Sequence, residues 1–262
     1  MELVLNDGSS MPQIAFGLYL VKDEECAACV SNAVTAGYRH FDGAAFYDNE
    51  AAVGAALPAD AWYTTKVWTT DCRFEDAVNS IKRSHAEIGR TIDLALVHWP
   101  VPGAHVEMYK ALVHCRDELG LVRRVGLSNY TPEDYEALLA SGAVVGAPPV
   151  VNQIEVSPFL YRKEAVDYFQ GKGIVVQAFK PLQRGAALGI PASQRPSHRA
   201  AASLRPPPTA RYPRAPVPIH LSPHTRSAGG ATLLGLAAVA PAHTTRKSLS
   251  GPPLPAQRDQ DL

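Results

Sequence analysis

Four side chains that suit proton transfer occur in the first part of this chain: Asp42, Tyr47, Lys66 and His98. A tyrosine hydroxyl, with an ordinary pKa of roughly 10, is a weak acid at neutral pH. A neighbouring ammonium group lowers the pKa of that hydroxyl, and a carboxylate can hold the ammonium in place. A histidine nearby can donate a hydrogen bond to a substrate oxygen. The set therefore favours general acid catalysis beside a hydride donor.

Each of these residues, taken alone, also has a structural interpretation. Asp42 could cap a helix, Tyr47 could be a rim aromatic, Lys66 a solvated strand end and His98 a core histidine. A catalytic role is favoured because Asp42, Lys66 and His98 end three successive predicted strands, and Tyr47 lies five residues after Asp42 in the following loop.

The elements that must position these residues alternate between strand and helix. A small hairpin is predicted around the Asn6-Asp7-Gly8 turn, because Asp-Gly supplies the positive φ angles of a tight turn. Helices are predicted near 24–36, after 62–66, near 105–119, from 132 onward and around 163–171. Seven strands are predicted at 16–20, 38–42, 62–66, 92–98, 122–128, 150–154 and 174–179.

Regular alternation of this kind indicates a parallel sheet. No Gly-x-Gly-x-x-Gly follows the first strand, which argues against an open dinucleotide-binding sheet. The pattern favours a TIM-type (β/α)8 barrel, an α/β fold whose active site forms at the carboxyl ends of the strands. Asp42, Lys66 and His98 end three successive strands, so we expect them to meet at one pocket.

Several motifs resemble, in order, those of the aldo-keto reductase family. They are MPQ at 11–13, GYRHFDGAAFYDNE at 37–50 with Val53-Gly54, TTK at 64–66, LVHWP at 96–100, GLSNY at 126–130 and NQIE at 152–155. The resemblance implies an NADPH-dependent reductase of aldehydes or ketones. It implies a catalytic tetrad of Asp42, Tyr47, Lys66 and His98, with Tyr47 as the general acid.

The same resemblance assigns the cofactor and substrate contacts. Ser128, Asn129 and Gln153 are expected to bind the nicotinamide carboxamide, and Phe179 to stack on the nicotinamide ring, where many members have tyrosine. Tyr19 and Trp99, together with His98, are expected to line the substrate pocket. No metal is expected.

The chain changes character near residue 188. Residues 1–185 contain 16 basic and 23 acidic side chains, whereas residues 186–262 contain 9 basic and 2 acidic ones and 13 of the 22 prolines. We predict a truncated barrel domain over 1–188 and a disordered Pro/Arg/Ala-rich tail over 189–262. The eighth strand, the last helices and the family's residues for the cofactor 2′-phosphate are expected to be missing, which would leave the barrel open.

Composition limits the other classes. No apolar run reaches the roughly 18–20 residues of a membrane span, and no secretory signal is recognisable. Four cysteines without signs of export indicate reduced thiols, so we expect a cytoplasmic monomer that acts on a small carbonyl compound and binds neither nucleic acid nor membrane. Two alternatives stay open: an inactive or regulatory cofactor-binding barrel, and a non-functional truncated isoform.

Overall fold

The computed structural model describes residues 2–146, 148–158 and 160–182, together with the backbone of 219–221. The chain begins with the predicted hairpin, in which β1 (Glu2–Val4) pairs antiparallel with β2 (Ser10–Pro12). Gly8 in its turn has φ +80°, a left-handed conformation that glycine adopts without strain.

The seven predicted strands are confirmed as neighbours in one parallel sheet that follows chain order. They are β3 (Ile14–Gly17), β4 (His40–Asp42), β5 (Trp62–Val67), β6 (Leu94–Val97), β7 (Val125–Ser128), β8 (Val151–Glu155) and β9 (Val175–Phe179). The first of them ends three residues earlier than predicted, before a turn in which Leu20 has φ 66°. Most of the other strand positions are buried, because helices cover the outer face of the sheet.

Six α-helices connect or flank these strands. They are α1 (Asp23–Thr35), α2 (Glu50–Ala56), α3 (Phe74–Ile88), α4 (His105–Asp117), α5 (Pro132–Ala140) and α6 (Lys163–Gly171). The predicted start of α5 is confirmed, since Thr131 accepts a hydrogen bond from the backbone N–H of Asp134 and Pro132 opens the helix. The short helix α2 was not predicted.

A three-residue strand occupies the place where no eighth strand was expected. The backbone of β10 (Ile219–Leu221) pairs with β3 over three residues and with β9 through one pair, Ile219 with Ala178, and so closes the barrel. Pro218 and Pro223 bracket this segment, which is too short to give a recognisable strand pattern. Apart from 219–221, the residues over which disorder was predicted (189–262) lie outside the described residues, and so does the predicted loss of the last helices.

The two ends of the barrel differ. At the amino-terminal ends of the strands, Leu3, Leu5 and Met11 of the hairpin pack on buried apolar residues that include Trp62 and Leu94. At the carboxyl ends, β4, β7 and β8 finish in Asp42, Ser128 and Glu155, and Lys66 is the last residue but one of β5. This asymmetry leaves one end of the barrel for the site.

Candidate active site

Asp42 and Lys66 form a buried ion pair at the carboxyl ends of β4 and β5. Their side chains are 0% and 1% exposed, and the Lys66 Nζ donates to Asp42 Oδ1. The same Nζ donates to the carbonyl oxygen of Gly43 at 2.6 Å and to the hydroxyl of Tyr47 at 3.3 Å. The three N–H bonds of the ammonium therefore have three oxygen acceptors, and one of them is the predicted acid.

The loop that carries Tyr47 is held from both sides. Tyr47 ends a single 3₁₀ turn, and Asp48 after it has φ 55°. The side-chain amide of Asn49 donates to the carbonyl oxygens of Leu18 at 3.1 Å and Val21 at 2.8 Å, which ties this loop to the one after β3. The hydroxyl of Tyr47 is thus presented by an anchored turn.

Glu50 anchors the start of α2 through a buried hydrogen-bond network. Its carboxylate, in a residue 2% exposed, accepts from Tyr63 at 3.0 Å, from Thr65 at 2.6 Å and from Ser84. Burial raises the pKa of Glu50, and the three hydroxyl donors oppose that shift.

The position of Gly43 requires glycine, because a Cβ there would come within 2.1 Å of the Tyr63 hydroxyl. The carbonyl oxygen of the same residue accepts a hydrogen bond from Lys66.

Burial and charge act in opposite directions on the pKa values of Lys66 and Tyr47. Burial lowers the pKa of Lys66, but the charges of Asp42 and Tyr47 and their hydrogen bonds outweigh it, so the pKa lies above its ordinary value. Burial raises the pKa of Tyr47, and the Lys66 ammonium lowers it by less. The expected effect of Lys66 is present, yet desolvation wins, and the hydroxyl stays protonated at neutral pH.

His98 follows β6 and stands beside Tyr47. Its backbone N–H donates to the Val67 carbonyl oxygen at 3.1 Å, and its ring packs edge-on against Trp68 (4.8 Å between centroids) and Tyr47 (6.1 Å). Burial, followed by the charge of Lys66, lowers the pKa of His98 from its ordinary 6.5 to about 3. The imidazole is neutral at physiological pH.

The side chains predicted to hold the carboxamide form a hydrogen-bonded row. Asn129 Nδ2 donates to the His98 carbonyl oxygen at 2.9 Å and to Ser128 Oγ at 3.1 Å. Gln153 Nε2 donates to Asp42 Oδ2 at 2.5 Å and to Gln177 Oε1 at 2.8 Å. Both hydrogens of each amide are therefore used within the protein, and the hydrogen-bonding atoms that remain on Asn129 and Gln153 are their amide oxygens, which are acceptors.

Tyr47, His98, Ser128, Asn129 and Gln153 border one cleft of about 920 Å³. The predicted pocket residues Tyr19 and Trp99 line it, as does Phe179 at the end of β9. The cleft also contains Phe46 and Trp68, whose rings stack at 3.9 Å between centroids and which the sequence analysis missed. Trp68 could have been found from its position, since it comes two residues after Lys66 and directly after β5.

The described residues form neither a metal site nor a membrane span. No group of three or more His, Cys, Asp or Glu side chains in that part of the chain is placed to hold a metal ion. None of its helices has both the length and the apolar character needed to cross a bilayer. The expected cytoplasmic location and monomeric state stay predictions.

Comparison with known proteins decides the family. The sequence pattern described as the Aldo/keto reductase family matches residues 13–213. An aldo-keto reductase of Mycolicibacterium smegmatis is 36% identical over 199 residues, which are 72% of this chain and 71% of that protein. This chain belongs to the aldo/keto reductase family.

Other aldo/keto reductases extend the comparison. The methylglyoxal reductase DkgB of Salmonella typhi is 37% identical over 191 residues, covering 68% of this chain and 70% of that protein. A solved structure of a Gox0644 variant in complex with NADPH has a TM-score of 0.68 and 33% identity, and covers 72% of this chain and 70% of that one. This chain therefore has the same barrel fold as these proteins and belongs to the same NADP-binding family.

Proposed function

We propose that this chain is an NADPH-dependent reductase that converts aldehydes or ketones to alcohols, with Tyr47 as the general acid. The observation that carries the proposal is the contact of the Lys66 ammonium, itself held by Asp42, with the Tyr47 hydroxyl at the edge of the cleft. Buried ion pairs of this kind are costly to desolvate, so they are poor devices for stability alone. Here the Lys66 ammonium of the pair also contacts the Tyr47 hydroxyl, which is a group that can transfer a proton.

The direction of the hydrogen bonds suits proton donation from Tyr47. Because Lys66 donates to the hydroxyl oxygen, the O–H of Tyr47 is left to point away from Lys66, toward the cleft. A substrate carbonyl oxygen there would receive the proton as negative charge develops on it. Lys66 then stabilises the phenolate that remains, since the ammonium lies 5.1 Å from the centre of the same ring.

His98 serves as a neutral hydrogen-bond donor rather than as an acid. Its Nδ1 is buried and, among the described residues, has no hydrogen-bond partner. A buried N–H without an acceptor is rarer than a buried lone pair without a donor, which favours the tautomer with the proton on Nε2. Nε2 then orients the substrate oxygen beside Tyr47.

The residues present fit the nicotinamide end of the cofactor. NADPH, when bound, supplies the hydride for carbonyl reduction, and the task of the chain is to align cofactor and substrate. The acceptor oxygens of Asn129 and Gln153 match the N–H donors of a carboxamide, and the Phe179 ring, partly exposed in the cleft, offers a stacking surface. The NADPH complex of Gox0644 supports the same cofactor here.

The substrate class follows from the site and its relatives. The cleft wall around Tyr47 is aromatic, with Tyr19 at 5.0 Å between ring centroids and the stacked pair of Phe46 and Trp68 beyond it. DkgB, by its name, reduces methylglyoxal, a small dicarbonyl compound. Small aldehydes and ketones are therefore the substrates to test first.

The test compares the chain with its Tyr47→Phe variant, by loss of NADPH absorbance with methylglyoxal or benzaldehyde as substrate. Removing the acid should lower kcat by about 10²–10⁴-fold and leave NADPH binding in place. Tyr38→Phe is the matched control, because Tyr38 packs against Phe16, away from the cleft, and should keep wild-type turnover.

Two results would count against the proposal. Wild-type turnover in Tyr47→Phe would exclude Tyr47 as the proton donor. Tight NADPH binding by the wild type without turnover of any carbonyl compound would favour the non-catalytic, cofactor-binding barrel instead.

A further inference from the structure

We infer that Gln177, on β9, is a positioning residue that fixes the amide of Gln153 and so decides which atom of Gln153 faces the nicotinamide carboxamide. The two glutamines are register partners on neighbouring strands, and both are buried, at 0% and 2% exposure. The inference rests on the proposed function, since it takes the cofactor to bind beside Gln153.

The orientation of Gln153 is set by two acceptors. Asp42 Oδ2 is an ionised oxygen and takes one N–H of Gln153 at 2.5 Å, while Gln177 Oε1 takes the other at 2.8 Å. With both acceptors present, the opposite orientation would place the Gln153 oxygen against two other oxygens. Without Gln177, one N–H of Gln153 would lose its partner and the side chain could turn about its last bonds.

Gln177 holds this position at a cost. Its own Nε2 is buried and has no hydrogen-bond partner among the described residues. Flipping the Gln177 amide would not help, because its NH₂ would then face the NH₂ of Gln153. An unpaired buried donor is unfavourable, and an apolar side chain would avoid it. The unpaired donor is therefore the consequence of giving Gln153 its second acceptor.

The effect on a ligand is specific to one hydrogen bond. With both N–H groups used inside the barrel, Gln153 offers only Oε1, which can accept from a carboxamide NH₂ and cannot donate. Gln177 thus selects for the nitrogen of the carboxamide and against groups that lack an N–H. By fixing the Gln153 amide, the bond to Gln177 also keeps the bond from Gln153 Nε2 to Asp42 Oδ2 in place. Gln153 therefore links the cofactor pocket to the Asp42–Lys66 pair.

The test measures binding of two oxidised dinucleotides, NADP⁺ and acetylpyridine adenine dinucleotide phosphate, in which a methyl ketone replaces the carboxamide. Dissociation constants come from quenching of tryptophan fluorescence, for which Trp68 and Trp99 lie in the cleft. The wild type should prefer NADP⁺, and Gln177→Met should reduce that preference by about 2–10-fold, the worth of one hydrogen bond. Its melting temperature should stay close to that of the wild type.

Two further variants separate positioning from packing. Gln177→Glu keeps an acceptor oxygen in either protonation state, so it should retain the preference for NADP⁺. Asn152→Leu is the matched control, because Asn152 is a buried amide on β8 that donates to the Tyr130 carbonyl oxygen at 3.0 Å. Like Gln177, it also has a buried amide atom, here Oδ1, with no hydrogen-bond partner in the described part of the chain. The substitution should lower the melting temperature and leave the preference unchanged.

The outcomes distinguish this inference from the proposed function. A wild type that prefers NADP⁺, with a Gln177→Met variant that prefers it equally, would overturn the inference and leave the proposed function standing. Loss of the preference in Gln177→Glu would overturn it too, even if Gln177→Met failed to fold. A wild type that binds neither dinucleotide would overturn both.

Discussion

At the scale of single residues, His98 gives the clearest dependence on pH. Its pKa is about 3 in the folded chain against an ordinary 6.5, so between these values the unfolded chain binds a proton that the folded chain does not. Stability from this group is therefore full above pH 6.5 and is lost as pH falls toward 3. We predict that His98→Gln loses less thermal stability on acidification than the wild type, as measured by circular dichroism melts from neutral to acid pH.

The comparison isolates His98, because other titrating groups contribute equally to both proteins. Equal losses of melting temperature in the two proteins would show that folding does not lower the pKa of His98, and would remove burial as the reason for its neutral imidazole.

The clustering of Asp42, Lys66 and His98 could be predicted because each ends a predicted strand, whereas the part given to Tyr47, in the loop after the first of these strands, came from the family resemblance. For Asp42, Lys66 and His98, the prediction required only the rule that the carboxyl ends of parallel strands lie at the same end of the barrel. The bond from Gln153 to Asp42 could not be predicted, since the two residues are 111 positions apart and no spacing encodes an amide inside a barrel. The net shift in the pKa of Tyr47 could not be predicted either, because it depends on how far burial, which raises the pKa, outweighs the Lys66 ammonium, which lowers it.

At the scale of elements, the contact between α2 and α3 depends on one glycine. A Cβ at Gly54 would lie 2.5 Å from the carbonyl oxygen of Glu87 and 2.7 Å from the Cα of Ile88, and these are backbone atoms that cannot rotate away. We predict that Gly54→Ala destabilises the chain by about 1–3 kcal/mol, in the range of overpacked cores, as measured by urea unfolding.

Gly171→Ala is the matched control for this prediction. Gly171 ends α6, and a Cβ there would meet nothing within 4 Å. Alanine should leave stability unchanged or raise it by about 0.4–1 kcal/mol, since it restricts the unfolded chain. Equal destabilisation by both substitutions would show that the close approach of α2 to α3 is not the cause.

Helix α2 also shows where the sequence patterns fall short. The helices α1 and α3 are long enough to repeat an apolar face, and their positions were predicted. The seven residues of α2 give at most two turns, and its buried side chains are Glu50 and Val53. A carboxylate such as Glu50 is not expected on the buried face of a helix. Its burial is explained only by its hydrogen bonds with Tyr63, Thr65 and Ser84, which the sequence does not reveal.

At the scale of the whole molecule, the barrel has one weakly paired seam. β5 and β6 share four register pairs, whereas β10 pairs with β9 through a single one. Since backbone amides exchange with solvent by local opening, we predict faster hydrogen exchange for peptides covering 14–17 and 175–179 than for peptides covering 62–67. Mass spectrometry after deuterium labelling measures this.

Uniform protection around the barrel would contradict that prediction and would show that closure at β10 is as firm as elsewhere. The seam is also the part of the fold that the sequence predicted least well. The seven predicted strands were recognisable from their alternation with helices, but the segment at 219–221 has prolines near both ends and no periodic pattern.

The full occupancy of the Lys66 ammonium has a consequence for repeated turnover. With Asp42, the Gly43 carbonyl and Tyr47 taking its three N–H bonds, Lys66 has no bond left through which to pass protons from bulk water. The hairpin seals the opposite end of the barrel with Leu3, Leu5 and Met11. In the proposed reaction, a phenolate left at Tyr47 must therefore recover its proton from water arriving by the route through which the alcohol departs, so departure of the alcohol precedes recharging of the acid.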